Sequence, residues 1–177
     1  MTMNATMRAL DTTTGAIRVE DVYDTGIHDL WDACTTPARL ARWIAQVTGD
    51  LTVGGTIAAT FTSTWTGSGR VDVCEAPHHL LLTMEVGTDD EGQIEAWLSP
   101  EGDRTRLVVE ERGLPLTQLY FHAAGWQTHL EDLQRSLALG ASAHPDGWSS
   151  AEPSPAWRER WVELTPSYEA AVIAPAG

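Results

Sequence analysis

One stretch constrains this chain more than any other. From Leu114 to Leu139, the residues Leu116, Leu119, Ala123, Trp126, Leu130, Leu133 and Leu137 recur at intervals of three and four. That spacing places them on one stripe of an α-helix about six turns long. No other segment offers so long an apolar face, and most of what precedes it alternates with period two. A sheet with one apolar face needs a cover, and this helix is the element long enough to provide it. The expected fold class is α+β, with an antiparallel sheet wrapped around one long C-terminal helix.

The earlier chain supplies that sheet. Ile17 to Tyr23 alternates as a first strand. Thr25 to Cys34 reads as a short helix with Ile27, Leu30, Trp31 and Cys34 inward. Thr36 as N-cap and Pro37 at the first helical position open a second helix, reaching about Ala45. Gly54-Gly55 signals a hairpin into a long strand, Thr56 to Trp65, and Gly67-Ser68-Gly69 reads as its turn. Strands follow at Arg70 to Glu75, Leu80 to Val86, Gln93 to Ser99 and Thr105 to Arg112, the last pair joined through Pro100 to Asp103. Connections this short imply an antiparallel meander.

Residues 1–15 show no periodicity and are expected to be a flexible N-terminus, and residues 16–141 to form the domain. Residues 142–177 read as a linker and a short helix, opened by Ser154-Pro155 and carrying Trp157, Trp161 and Leu164. Its tryptophans are expected to dock on the domain; the sharper alternatives are a homodimer contact or a lid.

Charge excludes several partners. There are 25 acidic residues against 11 basic ones, all arginine, for a net charge of -14. Such a chain repels phosphate backbones and anionic membrane surfaces, so neither nucleic-acid binding nor membrane insertion is expected. No apolar run approaches the roughly 20 residues a membrane helix needs. Met1 to Gly15 lacks the apolar block of a secretory signal, which makes the cytoplasm the expected location. Cys34 and Cys74 lack CxxC spacing and read as reduced, core-filling thiols. His78-His79 with Cys74 is not metal-ligand spacing, and neither metal nor cofactor is expected.

Five local patterns, in order, resemble a known family. Leu30-Trp31-Asp32-Ala33 through Pro37 to Trp43 is similar to the opening of START-like (SRPBCC) domains, closest to the branch named after the activator of the heat-shock protein 90 ATPase. Gly49 to Thr56, Glu75 to Leu80, Glu101 to Leu107, and Gly125-Trp126 with Leu130 and Leu133 resemble further words of that branch. The resemblance covers Ile17 to Leu139 and implies a helix-grip fold: a curved antiparallel sheet clasping the long helix, with two short helices near the N-terminus. It implies a cavity between sheet and helix for a hydrophobic small molecule. It also admits a polyketide cyclase or aromatase-like enzyme, or a co-chaperone-like contact with a heat-shock protein 90 ATPase. Ile44 stands where a second Trp is frequent, and Glu111 where His is common.

Glu111 is the strongest catalytic candidate. With Leu107 and Val109 facing the helix, period two turns Glu111 inward too. A carboxylate at the rim of an apolar cavity can act as acid or base. The reading favoured over that role is that the strand has ended and Glu111 sits at the mouth, paired with an arginine such as Arg112 or Arg70. His122 and His129 flank the helix stripe, and His122 is the second candidate for proton transfer. His28 with Asp29 and Asp32 has no nucleophile beside it in sequence, which leaves a catalytic triad unsupported. Expected ligand-binding walls are Trp43, Phe61, Trp65, Trp97, Val109, Glu111, Leu119, His122 and Trp126. Binding without catalysis is the expectation favoured over an enzyme.

Overall fold

Eight antiparallel strands form one sheet in the order β1-β2-β8-β7-β6-β5-β4-β3. They are β1 (Ala5–Ala9), β2 (Thr14–Tyr23), β3 (Ala45–Gly49), β4 (Thr56–Phe61), β5 (Thr66–Glu75), β6 (His79–Met84), β7 (Gly92–Glu101) and β8 (Arg104–Pro115). The structure is a computed structural model that describes residues 5–177. Two short helices, α1 (Ile27–Thr35) and α2 (Pro37–Leu40), follow β2; α3 (Leu119–Leu139) crosses the sheet, and α4 (Pro155–Glu169) packs on α3. This is the α+β architecture that the helix stripe demanded.

The core lies where the stripe meets the inner sheet face. Leu119, Ala123, Leu130 and Leu133 are fully buried, as are Ile17, Val19 and Leu107 opposite them. The Tyr23 hydroxyl donates to the Leu130 carbonyl oxygen at 3.0 Å, which anchors the helix to β2. Gly140, with φ 64, ends α3 in the left-handed conformation that glycine adopts without penalty.

Four local expectations need correction. Residues 5–9 form strand β1 on the edge of β2, because Ala5 and Met7 alternate inward against Val19 and Ile17; Met1 to Asn4 of the expected flexible terminus lie outside the described residues. The second helix stops at Leu40, and Ala45 already belongs to β3. The β4–β5 turn is Thr62 to Trp65, and Gly67 to Gly69 lie inside β5. A Cβ on Gly69 would come within 2.6 Å of the Met84 sulfur, so this glycine answers a close approach rather than a turn. Finally, α3 is buried on more than its stripe. Ala124, Gly125, Gln127, Thr128 and His129 are buried as well, because α4 covers a second face.

The C-terminal segment is tied down at several points. His144 Nδ1 lies 2.5 Å from Ser154 Oγ, and its Nε2 lies 3.0 Å from Asp132 Oδ2 and 3.3 Å from the Trp43 carbonyl oxygen. Both neighbours of Nε2 are acceptors, so in the neutral ring Nε2 carries the proton and Nδ1 accepts from Ser154. The N–H aligns on the Trp43 carbonyl, and Asp132 Oδ2 is left within ion-pair reach but without an aligned hydrogen bond. Arg135 also reaches Asp132. Trp148 Nε1 donates to the Thr60 carbonyl at 3.0 Å. The Tyr168 hydroxyl accepts from the Ala5 amide at 2.9 Å and donates to Gln127. Ala174 pairs with the edge of β1.

Candidate functional site

Between the sheet and α3 lies a cavity of about 830 Å³. Its floor is β7 and β8 at Gln93, Ile94 and Glu111. Phe61, Ser63 and Trp65 from the β4–β5 turn form one wall. Phe121, His122, Gly125, Trp126 and His129 of α3 form another, and Trp157 and Trp161 of α4 complete it. Glu85, Asp89 and Asp90, from the β6–β7 connection, stand at its rim.

The polar centre is built on β8 and α3. Leu107, Val109 and Glu111 alternate inward along the strand, and the first two are core residues. Trp126 Nε1 donates to Glu111 Oε2 at 2.6 Å, and His122 Nδ1 lies 3.4 Å from the same oxygen. His122 and Trp126 are four residues apart, one helical turn, which brings both onto one carboxylate. Burial opposes protonation of His122, but the hydrogen bond and charge of Glu111 outweigh it and raise its pKa above the ordinary histidine value. The geometry can therefore hold a proton on His122 beside an oriented carboxylate.

His129 is different. It is 4% exposed, with Nδ1 3.4 Å from the Thr62 hydroxyl and rings of Phe61, Trp126 and Trp157 around it, their centroids 5.8, 5.6 and 5.7 Å away. Burial, reinforced by the charge of His144, pushes its pKa down to about 3. His129 is neutral at physiological pH and serves as one aromatic plate among several.

Of the residues expected from sequence, Phe61, Trp65, Glu111, His122 and Trp126 come together around the cavity. Four stand apart from it. Trp43 is a core residue whose Nε1 donates to the Ala33 carbonyl at 3.0 Å. Trp97 is on the other sheet face: Ala96 and Leu98 are its buried neighbours, and Trp97 stacks on His79 at 5.7 Å. Val109 and Leu119 are packed into the core below the cavity. Arg112, offered as a partner for Glu111, turns outward to Glu95 and Glu110 at 2.7 and 3.1 Å. Arg70 pairs with Asp72 at 2.6 Å.

Phe121, Ile94 and the rim carboxylates are absent from the sequence-derived set. Phe121 was accessible to reasoning, since Phe121, His122, Gly125, Trp126 and His129 make a second helical stripe beside the leucines. The rim carboxylates carried no such signal, because turn acids look like any solvated surface. Among the described residues, no group of three or more His, Cys, Asp and Glu is placed to hold a metal ion. No helix among them is long and apolar enough to cross a membrane.

Comparison with known proteins agrees with this architecture. The family model described as Activator of Hsp90 ATPase homolog 1-like protein matches residues 24–138. The crystal structure of CalU16 from Micromonospora echinospora is similar with a TM-score of 0.71 and 26% identity, covering 96% of each chain. That coverage carries the likeness through α4 as well. DynU16, a protein in the dynemicin biosynthetic locus, is 26% identical with a TM-score of 0.65, over 71% of this chain and 48% of its own. A protein from Arthrobacter aurescens, 21% identical with a TM-score of 0.59 over 72% of this chain and 88% of its own, shares the fold. Comparison with curated proteins gave no match.

Proposed function

Because this chain belongs to the Activator of Hsp90 ATPase homolog 1-like family, we propose that its cavity binds a hydrophobic small molecule. The observation that carries this reading is the wall itself: Trp126, Trp157 and Trp161 with Phe61 and Phe121 line a cleft of about 830 Å³ that opens to solvent on one side, within the range of ligand pockets. At its mouth Trp65 and Phe121 stay 38% and 37% exposed, although burying those rings by packing would be more favourable. The place of DynU16 in the dynemicin biosynthetic locus supports looking for the ligand among biosynthetic intermediates and products. Titration with flavonoids, aromatic polyketides and fatty acids, read by quenching of the wall tryptophans and by native mass spectrometry, is expected to reveal one equivalent bound. Saturation by none of these classes, nor by a cationic aromatic amine, overturns the reading.

One observation favours a second reading, an enzyme that moves a proton. Glu111 Oε2 is aimed by Trp126 and shared with His122, the arrangement of a base held beside an acid. In that case Glu111→Gln abolishes turnover of a cyclisable polyketide while the substrate still binds. Unchanged turnover removes Glu111 from the chemistry.

A further inference from the structure

The cavity combines an aromatic wall with a rim of one sign. Trp157 and Trp161 are stacked at 5.6 Å with 17° between their planes, and Trp161 continues onto Phe121 at 5.5 Å and 23°. On the other side Phe61 meets Trp65 edge-on at 5.2 Å. Flat conjugated faces of this kind attract both π-systems and cations.

The charges around that wall do not cancel. Glu111 is matched by His122, and Arg112 is engaged by Glu95 and Glu110 on the outer side of the sheet. The carboxylates of Glu85, Asp89 and Asp90 remain. Glu85 accepts the Ser68 amide at 2.7 Å, and among the described residues no arginine or histidine forms an ion pair with any of the three. His129, in the middle of the rings, is uncharged. A negative rim before a low-dielectric wall concentrates cations and repels anions.

Resting on the reading of this cavity as a binding site, we propose that its ligand is a cation: a flat conjugated molecule carrying a protonated amine, with its rings against the exposed faces of Trp65 and Phe121 and its charge toward Glu85, Asp89 and Asp90. The field of a chain with net charge -14 favours the same sign at longer range. Neutral molecules of the same shape keep the stacking and lose the charge attraction. Anionic ones meet repulsion at the rim.

Three probes of one shape separate these terms at neutral pH: aminoacridine as the cation, acridine as the neutral ring, and acridine carboxylate as the anion. We expect aminoacridine to bind about tenfold more tightly than acridine, since three rim carboxylates each contribute a few-fold, and the gap to shrink at roughly tenfold higher salt. In the triple variant Glu85→Gln/Asp89→Asn/Asp90→Asn, which keeps shape and hydrogen-bond acceptors, aminoacridine and acridine should bind within about twofold of each other. Equal binding of all three probes to the unaltered protein overturns the charge preference and leaves the cavity a binding site. A preference that survives in the triple variant overturns the role of the rim. Failure of every probe to bind overturns this inference, and the reading beneath it falls only if the flavonoids, polyketides and fatty acids fail to bind as well.

Discussion

Glu111 owes its position to what donates to it. Its side chain is 18% exposed, and the Trp126 indole is its closest partner at 2.6 Å. Trp157, by contrast, keeps a buried Nε1 with no acceptor among the described residues. The two tryptophans therefore make a matched pair, because Trp→Phe removes the same volume from each and only one hydrogen bond. Trp126→Phe is expected to cost about 1–2 kcal/mol more than Trp157→Phe in urea unfolding, the cost of leaving a part-buried carboxylate without its donor. Equal costs would show that the indole does not hold the carboxylate. The thiols offer a second contrast. Cys74 is exposed, contrary to the core-filling role expected of it, whereas burial pushes the Cys34 thiol up to about 12. A thiol reagent at mildly alkaline pH should label Cys74 promptly and Cys34 only after unfolding. At this scale the sequence was legible wherever side-chain direction follows alternation. Period two along β8 turned Glu111 inward, and the same rule on β7 turns Trp97 outward with Glu95, although its aromatic character suggested a pocket wall.

At the scale of elements, the long helix and the meander were legible because each has an unbroken period of its own. What sequence could not deliver was how the C-terminal segment is fastened. Asp132 lies on α3, His144 in the linker and Ser154 at the start of α4, and no spacing in the chain links them. All three are buried, at 0%, 3% and 1% exposure. The tryptophans of α4 announced that the helix docks; the buried polar latch became visible only when the three positions met. Removing one member of a buried hydrogen-bonded polar network leaves its partners unsatisfied, at about 1–3 kcal/mol. His144→Ala is expected to destabilise the protein by about that much, and limited proteolysis should then cut first between Gly140 and Pro153, while fragments ending near Leu139 persist. Uniform digestion along the chain would mean that α4 and the sheet unfold as one unit and that the latch is not a separate fastening.

The whole molecule is an acidic body whose arginines are mostly committed. Eight of the eleven (Arg8, Arg18, Arg39, Arg70, Arg106, Arg112, Arg135 and Arg160) form ion pairs with carboxylates. The guanidinium partners of Glu110 and Glu131 outweigh their burial and hold both carboxyls below the ordinary value, so the stability those pairs supply is lost only as pH falls through that depressed range. Above it, two histidines act in opposite windows. His129 titrates near 3 when folded and near 6.5 when unfolded. Between those values the unfolded chain binds the extra proton, and stability falls as pH falls. His122 is the reverse: its folded pKa is raised above 6.5, so its contribution is fully present below 6.5 and disappears as pH rises through the folded value. The two effects meet near pH 6.5, where stability should be greatest. Over the two pH units from 6.5 down to 4.5, where the unfolded glutamates only begin to titrate, His129 alone should remove about 2 kcal/mol. Urea unfolding across that range should show the decline in the unaltered protein and lose most of it in His129→Gln, while His122→Gln should flatten only the limb above 6.5. A stability curve that stays level from 6.5 to 4.5 would mean that His129 is not held neutral by its aromatic surroundings, and the central plate of the cavity wall would then carry a charge.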